Sequence, residues 1–352
     1  SEIGVWNYAP EDVISKGRVG PGKLIAVDTQ TGALLDTKAI DNVLKNAQPY
    51  KKWLRAEARR IESDSVLEKQ LLGQVSRERL NVYQKMFLVT YEERDQIIRP
   101  LAEAGQEAVG SMGDDTPMAV LSGRVRHLAD YFRQQFAQVT NPPIDPLRES
   151  IVMSLETAFG PELNIFEETP EHARRAIVSS PVLSHSKFQQ LQSVDLPGFE
   201  SETIDLNYAE SEGLEAAILR VCKQAEAAVS AGRSQLVLSD RNIRENYLPI
   251  NALMATGAVH HYLIKVGLRC DCNLIVETAV ARDAHHFAVL LGFGATAVYP
   301  YLAYDIIADM ARSGEILGDP LEAQAYFRKG IDKGLLKILS KMGISTVASY
   351  RG

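Results

Sequence analysis

From about residue 213 to residue 348, short runs of apolar residues alternate with longer amphipathic stretches. The runs LVLSD (236–240), NLIVET (273–278), TAVYP (296–300) and ISTVA (344–348) predict strands, and the segments 213–231, 249–266, 283–292, 302–313 and 321–342 predict helices. Strands that read as continuous apolar runs are buried on both faces, which is the pattern of a parallel sheet with helices packed against it. Right-handed crossovers then curve such a series. The fold expected is α/β: an incomplete, rudimentary (β/α) barrel-like domain, because three or four strands are too few to close a barrel of about eight.

The first half of the chain has a different texture. GKLIAVD alternates, QTG turns at Gly32 and ALL resumes the apolar run, so a hairpin is expected within residues 1–50. A lone hairpin is not stable in water, and this short β remnant at the N-terminus is expected to complete a sheet of some larger body. From Ala47 to Gly110 the pattern becomes helical, with Trp53, the Val66–Leu72 run, Val82–Leu88 and Ile97–Leu101 set between charged stretches such as RAEARR and YEERD. Leu128, Tyr131, Phe132, Phe136 and Val139 predict a further helix over 127–139, ended by Thr140-Asn141-Pro142-Pro143. Both chain ends read as cut from something longer.

Composition excludes several classes. With a net charge of −7 over 352 residues the chain offers no basic footprint for nucleic acid or an anionic membrane, and no apolar run reaches the ~20 residues of a membrane helix. The three cysteines, Cys222, Cys270 and Cys272, are too few for a disulfide framework and lack the second ligand pair of a zinc or iron–sulfur site. They read as free thiols, which suits a cytoplasmic or plastid-stroma setting. Gly292-Phe293-Gly294-Ala295-Thr296-Ala297 approximates a dinucleotide signal, but its glycines close a helix and open a strand, the reverse of a phosphate-binding turn.

Candidate chemistry sits at two places. Asp240, Arg241, Glu277, Arg282 and Asp283 fall at or just past strand C-termini, where α/β folds hold ligands; the competing reading is that they cap helices and pair with one another. The adjacent pairs His260–His261 and His285–His286 lack the i,i+4 spacing of a helical metal motif and read as structural. Ser184-His185-Ser186 is adjacency without triad geometry. The second place is a pair of loops, SMGDDTPMAVLS (111–122) and VTNPPIDPLRE (139–149), dense in small, acidic and proline residues.

Those loops carry a resemblance. SMGDDTPMAVLS followed by YFRQQFAQVTNPPIDPLRE resembles the central region of glutamate synthase, and the likeness continues through SSPVLSHSKFQQL, LPINALMATGAVHHYLIKVGLR, VETAVARDAHHFAVLLGFGATAVYPYLA and KGLLKILSKMGISTVASYRG. It implies three parts: residues 1–50 as the C-terminal remnant of a class II glutamine amidotransferase domain, 51–335 as the central domain, and 336–352 as the start of an FMN-binding (β/α)8 domain. In that family glutamine and 2-oxoglutarate become glutamate with an external reductant, and the central domain links the amidotransferase to the flavin domain. The resemblance implies that Met112 and Gly113 lie beside the flavin and bound 2-oxoglutarate, and that Thr140 and Asn141 lie at the entry of the ammonia tunnel. It also implies FMN and a 3Fe-4S centre in the parent enzyme, with none of their ligands in this chain. Ferredoxin or an NAD(P)H-linked small subunit would be the parent's electron source. By itself this chain is then expected to be inactive. The alternative is an independent small-molecule sensor or scaffold of the same fold, with ligands at Asp240, Glu277 and Arg282.

Overall fold

The computed structural model describes residues 6–73, 75–106, 119–132 and 141–351. The expected hairpin is present: β1 (Ile25–Val27) pairs antiparallel with β2 (Leu34–Asp36), and Gly32 takes the left-handed turn conformation at φ 71°. Asp36 then caps α1 (Thr37–Asn46) by accepting the Ala39 N–H. After α2 (Tyr50–Glu57), the two-residue β3 (Arg59–Arg60) leads to α3 (Ser65–Leu71) and α4 (Arg77–Met86), capped by Asp64 and Ser76. A continuous helical stretch follows: α5 (Tyr91–Glu93), a π-turn at Arg94–Ile98, and α6 (Arg99–Ala104), closed by Gly105 at φ 60°.

The expected helix over 127–139 is corrected in its described part. Leu128–Tyr131 form a 3-10 turn capped by the His127 side chain, and Phe132 is already extended (φ −103°, ψ 123°); residues 133–140 lie outside the described residues. Beyond α7 (Glu149–Val152), a small mixed sheet places β5 (Ala176–Val178) between β3, parallel to it, and β4 (Thr157–Phe159), antiparallel. Next comes α8 (His185–Gln192), whose N-terminus is capped twice. Ser184 accepts the Lys187 N–H, and the buried Glu68 of α3 accepts the Ser186 N–H and hydroxyl at 3.2 and 2.7 Å.

The second half follows the predicted alternation. β6 (Ser201–Asp205) and the short β7 (Asn207–Ala209) precede α9 (Leu214–Ser230), then β8 (Gln235–Ser239), β9 (Tyr247–Pro249), α10 (Ala252–Lys265), β10 (Asn273–Glu277), α11 (Ala284–Gly292), β11 (Ala297–Tyr299), α12 (Tyr301–Arg312) and α13 (Pro320–Met342). β7 and β9 form their own antiparallel pair. The main sheet has four parallel strands in the order β11-β10-β8-β6, which is chain order. Crossovers of one hand that always step the same way leave their helices on one face.

Period-two alternation sorts the main sheet's side chains. Leu236, Leu238, Leu274, Val276 and Val298 share one face. Gln235, Ser239, Asn273, Glu277 and Tyr299 share the other, which is covered by 155–199: Asn273 Oδ1 accepts the Gly160 N–H at 2.8 Å, and Phe188 stacks on Tyr299 at 4.3 Å. Every residue of β8, β10 and β11 is buried, as continuous apolar runs require.

Two expectations need correcting here. ISTVA is no strand: Thr346 makes a single parallel bridge to Ser154, and Val347–Tyr350 turn into a 3-10 helix. The run has strand-forming residues but only one short neighbour to pair with. Conversely β6, SETID, escaped notice because an edge strand with Glu202 and Thr203 exposed carries no apolar run. Among the described residues no helix is long and apolar enough to cross a membrane.

Candidate functional site

At the C-terminal rim of the sheet the polar groups satisfy one another. Asp240 is fully buried; it accepts the Thr278 hydroxyl at 2.5 Å and the Ala279 N–H at 3.1 Å, and burial raises its carboxyl to about 7. The Tyr301 hydroxyl lies beside it, buried and without a completed hydrogen bond. Glu277 accepts from Ser239 Oγ at 2.7 Å and from the Arg241 guanidinium at 3.0 Å, and that guanidinium stands 5.0 Å over the Tyr301 ring. Tyr299 is hydrogen-bonded to His185 Nδ1 at 2.6 Å, and His185 Nε2 meets Gln324 Oε1 at 3.1 Å. The His185 ring is therefore committed on both nitrogens, and burial lowers it to about 4.

Arg282, 1% exposed, donates from Nε to Glu93 at 2.6 Å and from Nη1 to the Ala279 carbonyl at 2.8 Å. Asp283 caps α11 through the His286 N–H at 2.8 Å. The strand-end residues thus cap and pair with one another. The three side chains that a sensor would use, Asp240, Glu277 and Arg282, are buried and already partnered. Of the histidine pairs, His260 and His286 face inward; His261 is exposed and His285 lies at the boundary. Gly294, at φ 108°, joins α11 to β11 under the His260 ring. Arg269 fixes that corner with hydrogen bonds to His260, Cys272 and Gly294.

The loop residues fall differently. Met112, Gly113 and Thr140 lie outside the described residues, whereas Asn141 is described and exposed. The structure does define where each loop is attached. Gly105, just before 107–118, packs on the backbone of α13: a Cβ there would meet the Tyr326 carbonyl at 3.2 Å, and one on Gly330 would meet Leu101 Cδ2 at 2.5 Å. The segment between the loops rests on α11, with His285 Nε2 3.0 Å from the Ala129 carbonyl and Phe132 edge-on to Phe293 at 5.0 Å. Asn141 itself seats on the C-terminus of α13. Gly343 closes that helix at φ 68°, and a Cβ there would meet Asn141 Cβ and the Pro142 carbonyl, each at 2.8 Å. The Ile144 N–H donates to the Ser340 carbonyl at 2.9 Å, and the Ser154 N–H to the Ser345 carbonyl at 2.8 Å.

Sequence reasoning missed the Glu93–Arg282 pair, the seat of Asn141 on Gly343, and the His127 ring stacked on His286 at 4.3 Å. The one local signal was Gly343 itself, a glycine just past a long helix.

The chain can be set against known proteins. The family described as glutamate synthase central domain matches residues 82–352, and that described as glutamine amidotransferases class-II matches residues 1–53. The glutamate synthase (NADPH) large chain of Azospirillum brasilense is 42% identical over 359 residues, covering 100% of this chain and 23% of that protein. Glutamate synthase (NADH) of Schizosaccharomyces pombe is 40% identical over 369 residues, covering 100% and 17%. Ferredoxin-dependent glutamate synthase 2 of Synechocystis sp. is 40% identical over 367 residues, covering 100% and 23%. The chain thus spans between 17% and 23% of the length of these relatives. A solved flavocytochrome b2 variant superposes on 49% of this chain and 38% of its own at a TM-score of 0.32 with 14% identity, too loosely to bear on the fold.

Proposed function

The chain belongs to the glutamate synthase central domain family, and from that premise we propose that it is the piece joining the amidotransferase and flavin domains of such an enzyme. The observation that carries this is identity of about 40% along the whole chain to relatives whose names specify NADH, NADPH and ferredoxin. A segment shared across three electron sources fits a part of the enzyme that none of them contacts directly.

On this reading residues 1–50 end a class II amidotransferase, 51–335 form the central domain and 336–352 begin the flavin domain. The hairpin supports the first assignment. Ile25, Val27 and Leu34 are 56–64% exposed, which suits strands whose sheet lies in a neighbour. The chain-ordered parallel strands, with α9, α10 and α11 against them, support a barrel-derived central domain. Met112 and Gly113 then reach the flavin and 2-oxoglutarate, and Thr140 and Asn141 line the ammonia tunnel's entry. The seat of Asn141 on Gly343 supports the second role, because it ties that loop to the helix leading into the flavin domain. A cytoplasmic or plastid-stroma location, and ferredoxin or an NAD(P)H-linked subunit as partner, belong to the same proposal.

Among the described residues the side chains do not offer the cofactors of the whole enzyme a ligand set. Cys222 and Cys272 are buried and Cys270 is exposed, and among the described residues the three do not cluster as an iron–sulfur ligand set. The strand ends where a flavin phosphate would sit in a complete barrel present the carboxylates of Asp240 and Glu277, and Tyr299, Phe188 and His185 fill the space beside them. FMN and the 3Fe-4S centre are assigned to the flanking domain.

Two measurements test this reading. The purified 352-residue chain is expected to form no glutamate from glutamine and 2-oxoglutarate with any reductant, and to show no flavin absorption; stoichiometric bound flavin would contradict the assignment. In the whole enzyme Met112→Ala is expected to slow glutamate formation more than glutamine hydrolysis, and equal losses would remove Met112 from the synthase site.

A further inference from the structure

The segment His127–Phe132 brings two side chains to the buried His286 of α11. The His127 ring lies over that of His286 with centroids 4.3 Å apart at 32°, and Asp130 closes the third side. One ligand atom from each of the three lies within 4.8 Å of the other two. Among the described residues His127 Nε2 is shut off from solvent and has no hydrogen-bond partner, which leaves its lone pair available to a ligand.

We propose that His127, Asp130 and His286 form a binding site for a divalent transition-metal ion of the zinc class. Two imidazoles and a carboxylate are a donor set zinc accepts, with a fourth position left for water. The carboxylate behind one ligand is in place: Asp283 Oδ1 lies 3.4 Å from His286 Nδ1, where it can take that ring's N–H and orient it. Arg282, the nearest buried cation, is neutralised by Glu93 at 2.6 Å. Three adjustments are required. The His127 and His286 rings, now stacked at 32°, must turn so that their donor nitrogens converge on one ion. Asp130 must exchange its contact with Arg126, 3.2 Å away, for the ion. The Nδ1 atoms that now accept the Ala129 and Arg282 N–H groups, at 3.1 and 3.3 Å, must carry the ring protons once Nε2 binds metal. Metal binding therefore releases both amides, and it pins the segment between the two family loops to α11.

The test is a titration of the full 352-residue chain with Co(II), then displacement by Zn(II). One equivalent of Co(II) is expected to give the intense visible bands of a four- or five-coordinate site. His127→Gln and Asp130→Asn are each expected to weaken binding at least about tenfold, while the exposed His261→Gln leaves it unchanged. Because a variant can lose its fold, the unsubstituted protein provides a second readout: Zn(II) should shift the Ala129 and Arg282 amide resonances together. Octahedral, weak Co(II) spectra only, or binding insensitive to both ligand substitutions, or amides that do not move, would overturn the site.

Discussion

Asp240 holds its carboxyl where ionisation is expensive, and that has a signed consequence for stability. Its group is raised from 3.8 to about 7 on folding, so between those values the folded chain keeps a proton that the unfolded chain releases. Its contribution is greatest below about pH 4, falls as pH rises to about 7, and is flat above. Asp305 and Asp332, each raised to about 6 by burial, act with the same sign. His185 and His260, lowered to about 4, act oppositely: their contribution is complete above about 6.5 and is lost as pH falls. Asp240→Asn isolates the first effect. In urea denaturation the variant should gain stability relative to wild type between pH 5 and pH 8, and a difference independent of pH would contradict the burial argument. Gly343→Ala tests the seat of Asn141. Gly314, at φ 79°, has open space where its Cβ would point, whereas Gly343, at φ 68°, is crowded by Asn141 and Pro142. Both alanines incur backbone strain of about 1–3 kcal/mol. Gly343→Ala should lower the melting temperature further than Gly314→Ala, and equal losses would mean that the contact with Asn141 contributes nothing.

Among elements, the helical stretch from α5 to α6 is held to the sheet's helical layer by charge. Arg282 meets Glu93 with their side chains 2% and 14% exposed, while Arg94 in the π-turn bonds Asp309 and Glu315 at 3.0 and 2.8 Å. Removing one partner of a buried pair strands the other, at a cost of about 3–5 kcal/mol. Arg282→Met should therefore destabilise strongly, and the double variant Glu93→Met, Arg282→Met should recover most of the loss. A double variant as unstable as the single would mean that the pair's geometry matters more than the stranded charge. None of this was legible in the sequence, because Glu93 and Arg282 are 189 residues apart and each reads as an ordinary charge on a helix or loop. What was legible had a local cause. Apart from the short β9, which the sequence reading lacked, the strands and α-helices from α9 to α13 follow from apolar periodicity, and Gly294 follows from its place after a helix. β6 lacked an apolar run, and ISTVA had the residues of a strand but no sheet to join.

At the scale of the molecule, the chain-ordered parallel sheet and the three anchored segments at 105, 127–132 and 141–144 form one frame, and on the proposed reading that frame joins an amidotransferase to a flavin domain. The family was legible because long strings such as QVTNPPIDPLRE and VARDAHHFAVLL resemble it, and the second of these runs into the largely buried α11. The candidate loop site was legible only as loop wording, and of its four residues the structure describes Asn141 alone. The most direct test is the coupling stoichiometry of the whole enzyme carrying Asn141→Ala or Thr140→Val: glutamine hydrolysed against 2-oxoglutarate consumed, with free ammonium measured alongside. A connecting domain that lines the tunnel predicts hydrolysis in excess of synthesis and ammonium in solution. One-for-one coupling in both variants, with no ammonium released, would contradict it.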